Sequence, residues 1–227
     1  LLLPALVGHL AFAAWAAQPP GGDPVTFPNP RGVILRGELF GQGRTAIVLA
    51  HGDGADQRSW VSFARTLAAR GWLALTFDFE GYGRSDGTRD PRRMDGDLAA
   101  ATSFLRGYGA ERIFLVGAGV GGTAALRLAA RERVAGLAVL SAPLAARGLS
   151  AEGEIGRISA PRMLVAAEGD AEGARAARAL GARAKPGAVV LIVPGQRRGA
   201  ELLSAPAGTD LTASLLAFFS NPTAGGR

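Results

Sequence analysis

The sequence has no cysteine, two histidines and a single lysine, Lys185, among 25 basic residues. Without cysteine there is no disulfide framework, no thiolate metal site, no thiol nucleophile and no lipidated N-terminal cysteine. With only His9 and His51, imidazole chemistry has little to draw on. Charged residues make up 19% of the 227, too few for a disordered chain beside 48% hydrophobic content. The formal charge of +6 rests on scattered arginines, with local groups only at Arg89, Arg92 and Arg93 and at Arg197 and Arg198. No basic stripe interleaved with aromatics is present, which excludes nucleic acid as the expected partner.

What is present begins with a charge-free run, residues 1–17, broken by the turn-forming stretch Gln18 to Pro24. It reads as the apolar region of a signal peptide, with Ala14-Trp15-Ala16 as a small-x-small cleavage pattern. Export to the periplasm or outside the cell is the expectation, with membrane attachment only if this hydrophobic N-terminal segment is retained. Residues 18–31 then read as a linker, 32–221 as one domain and 222–227 as a disordered tail. The length suits a single domain.

From Gly32 onward, short apolar runs alternate with helical periodicity. Strands are expected at Val33 to Phe40 (one strand or a pair), Ala46 to Ala50, Trp72 to Phe77, Ile113 to Val116, Val134 to Leu140, Met163 to Ala167 and Val189 to Val193. Helices are expected at Ser59 to Arg70, Asp97 to Arg106, Val120 to Arg131, Ala171 to Leu180 and Leu211 to Phe219. This βα alternation predicts a mainly parallel sheet covered by helices. Only about 20 residues separate Ser141 from Met163, too few for a sizeable cap domain.

Gly117-Ala118-Gly119-Val120-Gly121 falls between a strand and a helix. As a dinucleotide fingerprint the run lacks its context: it follows several βα units, and the next strand ends at Ser141 with no carboxylate. Taken with Ala50 to Trp60 (AHGDGADQRSW) and Leu75 to Ser85 (LTFDFEGYGRS), it resembles the α/β-hydrolase superfamily, in particular small exported serine esterases and dienelactone-hydrolase-like enzymes. The resemblance implies an eight-stranded, mostly parallel sheet with its active-site loops at the strands' C-terminal ends. It also implies a G-x-S-x-G elbow carrying a nucleophile, an acid after a later strand and a histidine after the last one.

On that pattern Gly119 holds the nucleophile position, with no side chain to attack. Asp170 best matches the acid, and the sequence supports a helix-capping role for it equally. Arg198 stands where the histidine is expected, and a guanidinium stays protonated and cannot act as a general base. The backbone N–H groups of Asp53 and Val120 are the expected oxyanion donors, although the Asp53 carboxylate opposes developing negative charge unless it turns to solvent. Arg198 is expected to pair with Asp170.

His51, Ser85 and Ser141 are the remaining pocket candidates. A packed histidine and turn-bonding serines account for them better than chemistry does, and Tyr82 reads as a packed turn aromatic. The loop acids Asp53, Asp56, Asp78, Glu80 and Asp86 have no histidine support, so neither a metal nor another cofactor is expected. The functional expectation is therefore a degenerate, non-catalytic hydrolase-fold protein that binds a ligand or a partner, a small molecule above Gly119 being the candidate ligand. The alternative is an active carboxylic-ester or acyl hydrolase with a non-standard nucleophile.

Overall fold

The computed structural model describes residues 21–184, 186–204 and 208–222, and no described helix is long and apolar enough to cross a membrane. The segment of residues 1–17 and the tail beyond residue 222 lie outside the described residues.

The chain opens with β1 (Asp23–Pro28), β2 (Ile34–Phe40) and β3 (Thr45–Ala50), then α1 (Val61–Ala68), β4 (Leu73–Phe77) and α2 (Met94–Gly107). It continues through β5 (Arg112–Ala118), α3 (Val120–Ala129), β6 (Gly136–Leu140) and the two-residue strands β7 (Ala145–Ala146) and β8 (Leu149–Ser150). β9 (Arg162–Ala167), α4 (Ala171–Arg183), β10 (Ala188–Val193) and α5 (Gly208–Ser220) complete it. The main sheet has eight strands in the order β1-β2-β4-β3-β5-β6-β9-β10, antiparallel at β1–β2 and β2–β4 and parallel elsewhere.

The central strands read as continuous apolar runs because both of their faces are covered. Along β3, Ala46, Val48 and Ala50 join the core beneath α2, α3 and α4, while Ile47 and Leu49 join the core beneath α1 and α5. The period-2 alternation of a strand thus divides one segment between two layers. Between β6 and β9 the chain forms only the β7–β8 hairpin and a short 3₁₀ turn at Ile155–Arg157. The C-terminal edge of the sheet is left without a cap domain.

Two readings of the N-terminal part need correction. Residues 18–31 were expected as linker, yet Asp23–Pro28 is strand β1, with Phe27 buried and stacked on Phe104 at 5.0 Å between ring centroids. Its prolines read as turn formers, but an edge strand tolerates proline because one row of its N–H groups needs no partner. Of the Val33 to Phe40 stretch, Ile34–Phe40 is one continuous strand, β2. Its Gly37 lies where a Cβ would strike the Thr76 carbonyl oxygen of β4. The expected helix Ser59 to Arg70 is in fact a 3₁₀ turn at Gln57–Trp60 followed by α1, with the Asp56 side chain accepting from the Arg58 N–H at its start.

Candidate active site

β3 and β5 run parallel and in register, so their C-terminal ends deliver the His51–Ala55 loop and the turn into α3 to the same edge. At that turn Gly119 has φ 52° and ψ −126°, a conformation side chains rarely adopt. The neighbouring glycines serve a different purpose. A Cβ on Gly121 would lie inside contact distance of the His51 carbonyl oxygen, and one on Gly117 would come within 2.6 Å of the Gly121 oxygen. They let α3 press against β3 and β5. Gly119 alone of this group faces open space, where a Cβ would meet only Gly52 Cα, at 3.8 Å.

A cavity of about 560 Å³ lies above Gly119. Val120 and Asp53 border it, and among the described residues neither backbone N–H donates to a protein acceptor. The Asp53 carboxylate is held by two partners. Its Oδ1 accepts from the Tyr82 hydroxyl at 2.7 Å and its Oδ2 pairs with Arg147 Nη2 at 3.1 Å, so a cation offsets its charge beside the cavity. Burial, together with that hydrogen bond to Asp53, pushes the Tyr82 phenol up to about 12. Arg147 holds its position from a turn with φ 52°, between β7 and β8. Nothing in the sequence singled it out, because strain in the left-handed region appears only once the hairpin is built.

Asp170 follows β9 at the start of α4 and is 2% exposed. Its Oδ1 accepts from the Gly173 N–H at 3.1 Å and lies 3.1 Å from Arg198 Nε. The capping role and the ion pair therefore coexist on one oxygen. Asp170 Oδ2 is buried with no hydrogen-bond partner among the described residues. Arg198 reaches it from the loop between β10 and a 3₁₀ turn at Gly199–Ser204, with its side chain 62% exposed. The next residue, Gly199, donates its N–H to Ser141 Oγ at 3.0 Å.

The three remaining candidates separate. Ser141 borders the cavity, with φ 53° at the end of β6. Ser85 lies elsewhere: its hydroxyl donates to the Asp78 carbonyl and accepts from the Arg36 N–H at 2.9 Å, which ties the β4 loop to β2. As a pocket candidate it is corrected, because both hydrogen bonds point into the loop's own scaffold.

His51 is fully buried behind the cavity wall. Its Nε2 accepts from the Phe79 N–H at 3.2 Å, which leaves the proton on Nδ1 to donate to Gly52 O at 2.9 Å. Burial lowers its pKa, the Gly52 contact opposing the shift only in part. A group held neutral in the fold supplies stability that is present above its unfolded value, near 6.5, and is lost as the pH falls from there toward the folded value. The urea midpoint of the wild type is expected to decline as the pH falls below about 6.5, and His51→Gln is expected to flatten that decline.

The loop acids are likewise engaged in the scaffold. Asp78 accepts from the Gln57 and Arg84 N–H groups, Asn29 Nδ2 and Arg31 bind Glu80, and Asp56 and Asp86 pair with Arg58 and Arg36. Among the described residues no three acids and histidines converge as a metal site.

The sheet order, the turn at Gly119 and the loops gathered at the strands' C-terminal edge define an α/β-hydrolase. The family model described as "Serine aminopeptidase, S33" matches residues 41–175, and the chain belongs to that family. Among solved structures, a monoacylglycerol lipase of Paleococcus ferrophilus superposes with a TM-score of 0.71 at 18% identity, covering 83% of this chain and 99% of that one. The Pyrococcus furiosus esterase Pf2001 gives 0.77 at 16%, covering 87% and 90%. Among curated proteins, epoxide hydrolase B of Mycobacterium tuberculosis is 34% identical over 107 residues, 45% of this chain and 30% of that protein. The chain thus matches less than a third of that relative's length.

Proposed function

We propose that this member of the hydrolase family does not perform serine hydrolysis and instead uses the cavity above Gly119 to bind a small molecule. The observation that carries this reading is the Arg198–Asp170 ion pair: a permanent cation occupies the position expected for the general base, opposite a turn with no nucleophile. Removing triad members leaves an α/β-hydrolase only the modest acceleration supplied by binding and the oxyanion donors. Export through the N-terminal apolar segment is part of the same proposal and would place the binding site in the periplasm or outside the cell.

A second reading, an active acyl hydrolase, draws on Ser141, whose hydroxyl borders the cavity from a strained backbone. Similarity to an epoxide hydrolase and a monoacylglycerol lipase favours it also. Purified protein with p-nitrophenyl acetate and butyrate separates the two. Rates at the uncatalysed background, unchanged by Ser141→Ala, are expected; turnover that Ser141→Ala abolishes would establish the second reading in place of the first.

A further inference from the structure

The loops that lead from the helices into the parallel strands share one edge of the sheet, opposite the cavity. Arg44 precedes β3, Arg70 follows α1, Arg112 opens β5 and Arg133 precedes β6, while Arg106 and Arg183 stand in the last turns of α2 and α4. All six are exposed. A helix dipole favours a cation at the last turn, which accounts for Arg106 and Arg183, but the others lie outside any helix. Glu111 pairs with Arg44 at 2.8 Å and Glu132 with Arg106 at 3.1 Å. Arg70, Arg112, Arg133 and Arg183 make no ion pair with a described residue. Arg131, close by in the chain, reaches away to Asp95. The cavity has the opposite balance, with Asp53, Asp170, Glu172 and Glu201 lining it against Arg147 and Arg198.

Two further features meet the arginines at their edge. Tyr108, at the end of α2, is 60% exposed, the most exposed large hydrophobic side chain among the described residues. An amphipathic ring so placed fits the boundary between water and lipid, where tyrosine gathers at the head-group level. The chain also enters here. β2 runs antiparallel to β4, so Phe40 at its end lies at this edge, and Asp23 at the head of β1 pairs with the neighbouring Leu39. The charge-free run of residues 1–17 therefore connects to the domain from the arginine side. Arg106, Arg112 and Arg133 border a hollow of about 360 Å³, with Glu111 the one carboxylate in its wall.

We propose that this edge is a docking surface for an anionic lipid bilayer, with the arginines on lipid phosphates, Tyr108 among the head groups and the cavity turned away from the membrane. Guanidinium groups bind phosphate through paired hydrogen bonds, and several on one face add their attraction to an anionic leaflet. A nucleic acid would call for aromatics interleaved with the arginines, where this edge has a lone exposed tyrosine and an apolar run leading into it. The proposal is independent of whether the cavity hydrolyses its occupant or only binds it.

Flotation of the full chain with vesicles of equal parts phosphatidylglycerol and phosphatidylcholine, and with phosphatidylcholine alone, tests it. Partition onto the anionic vesicles is expected to be at least about a hundredfold stronger at low salt, roughly fivefold for each unpaired arginine, and to fall steeply as salt is raised. Arg70→Gln, Arg112→Gln and Arg133→Gln together are expected to remove about a hundredfold of that preference. Arg58→Gln, Arg84→Gln and Arg92→Gln, an equal loss of charge on the cavity side, are expected to change it less than about threefold. A polarity-sensitive fluorophore on Ala69→Cys, at the arginine end of α1, is expected to shift to the blue on binding, and one on Ser62→Cys, at the other end of that helix, to stay unchanged. That labelling has no native cysteine to compete with it and stands even if the triple variants do not fold. Equal partition onto both vesicles, indifference to salt, an equal loss from the cavity-side variant, a blue shift at residue 62 instead of 69, or a short DNA duplex bound as tightly as the anionic vesicles would overturn the proposal. Ester turnover dependent on Ser141 would remove the non-hydrolytic reading and leave this one standing.

Discussion

Gly119→Ser combined with Arg198→His is expected to raise p-nitrophenyl butyrate hydrolysis about a thousandfold over the wild type, on the order of 4 kcal/mol of transition-state stabilisation. A Cβ at residue 119 has room: it meets only Gly52 Cα, at 3.8 Å. The positive φ that a serine must accept at this turn costs roughly 1 to 3 kcal/mol, which the packing of α3 on the sheet has to impose. At the other position, residue 198 already lies against Asp170, whose Oδ2 has no partner and whose Oδ1 would lose its guanidinium. An imidazole in that loop would gain a carboxylate to orient it, the arrangement a general base needs. Each single replacement is expected to stay near background, since a nucleophile without a base, or a base without a nucleophile, restores little. A double variant that folds with the wild-type urea midpoint, yet hydrolyses no faster, would show that the scaffold no longer holds reactive geometry.

Gly121→Ala is expected to be strongly destabilising, costing on the order of 4 kcal/mol or preventing soluble expression. The added Cβ would penetrate the His51 carbonyl oxygen, with the Ala50 carbonyl oxygen at 2.9 Å behind it. Both obstacles are backbone, at the last residue of the central strand β3 and the residue after it, so neither can swing aside as a flexible side chain would. Gly119→Ala, two residues away, meets no such obstacle and is expected to lose only the strain of its positive φ, about 1 to 3 kcal/mol. Urea unfolding of the pair separates close packing from turn conformation within one glycine-rich run. Equal losses would mean that α3 can back away from the sheet, contrary to the tight approach described above.

That contrast also explains how much could be read in advance. The alternation of buried strands and amphipathic helices gave the parallel sheet, because strands covered on both faces must be apolar throughout and helices covering them must be apolar on one side. β1 escaped notice because proline and polar residues at a sheet edge look like a linker until Phe27 is seen against Phe104 and Phe77. Among the candidate residues, Gly119, Asp170, Arg198 and Ser141 gather at one cavity because they follow β5, β9, β10 and β6, whose C-terminal ends lie on the same edge. Ser85 also follows a sheet strand, β4, yet its loop folds back over β2 and the hydroxyl is used there.

The amino-acid order alone determined the layered α/β class and the position of the turn at Gly119, since both depend on residue type and spacing along one chain. Only the tertiary structure decided that Arg147 neutralises Asp53, that Asp170 caps α4 and binds Arg198 through the same oxygen, and that His51 is held neutral between Phe79 and Gly52. Such pairings join segments distant in the chain. Their energies depend on separation and burial, which are set by the way strands and loops pack together in space.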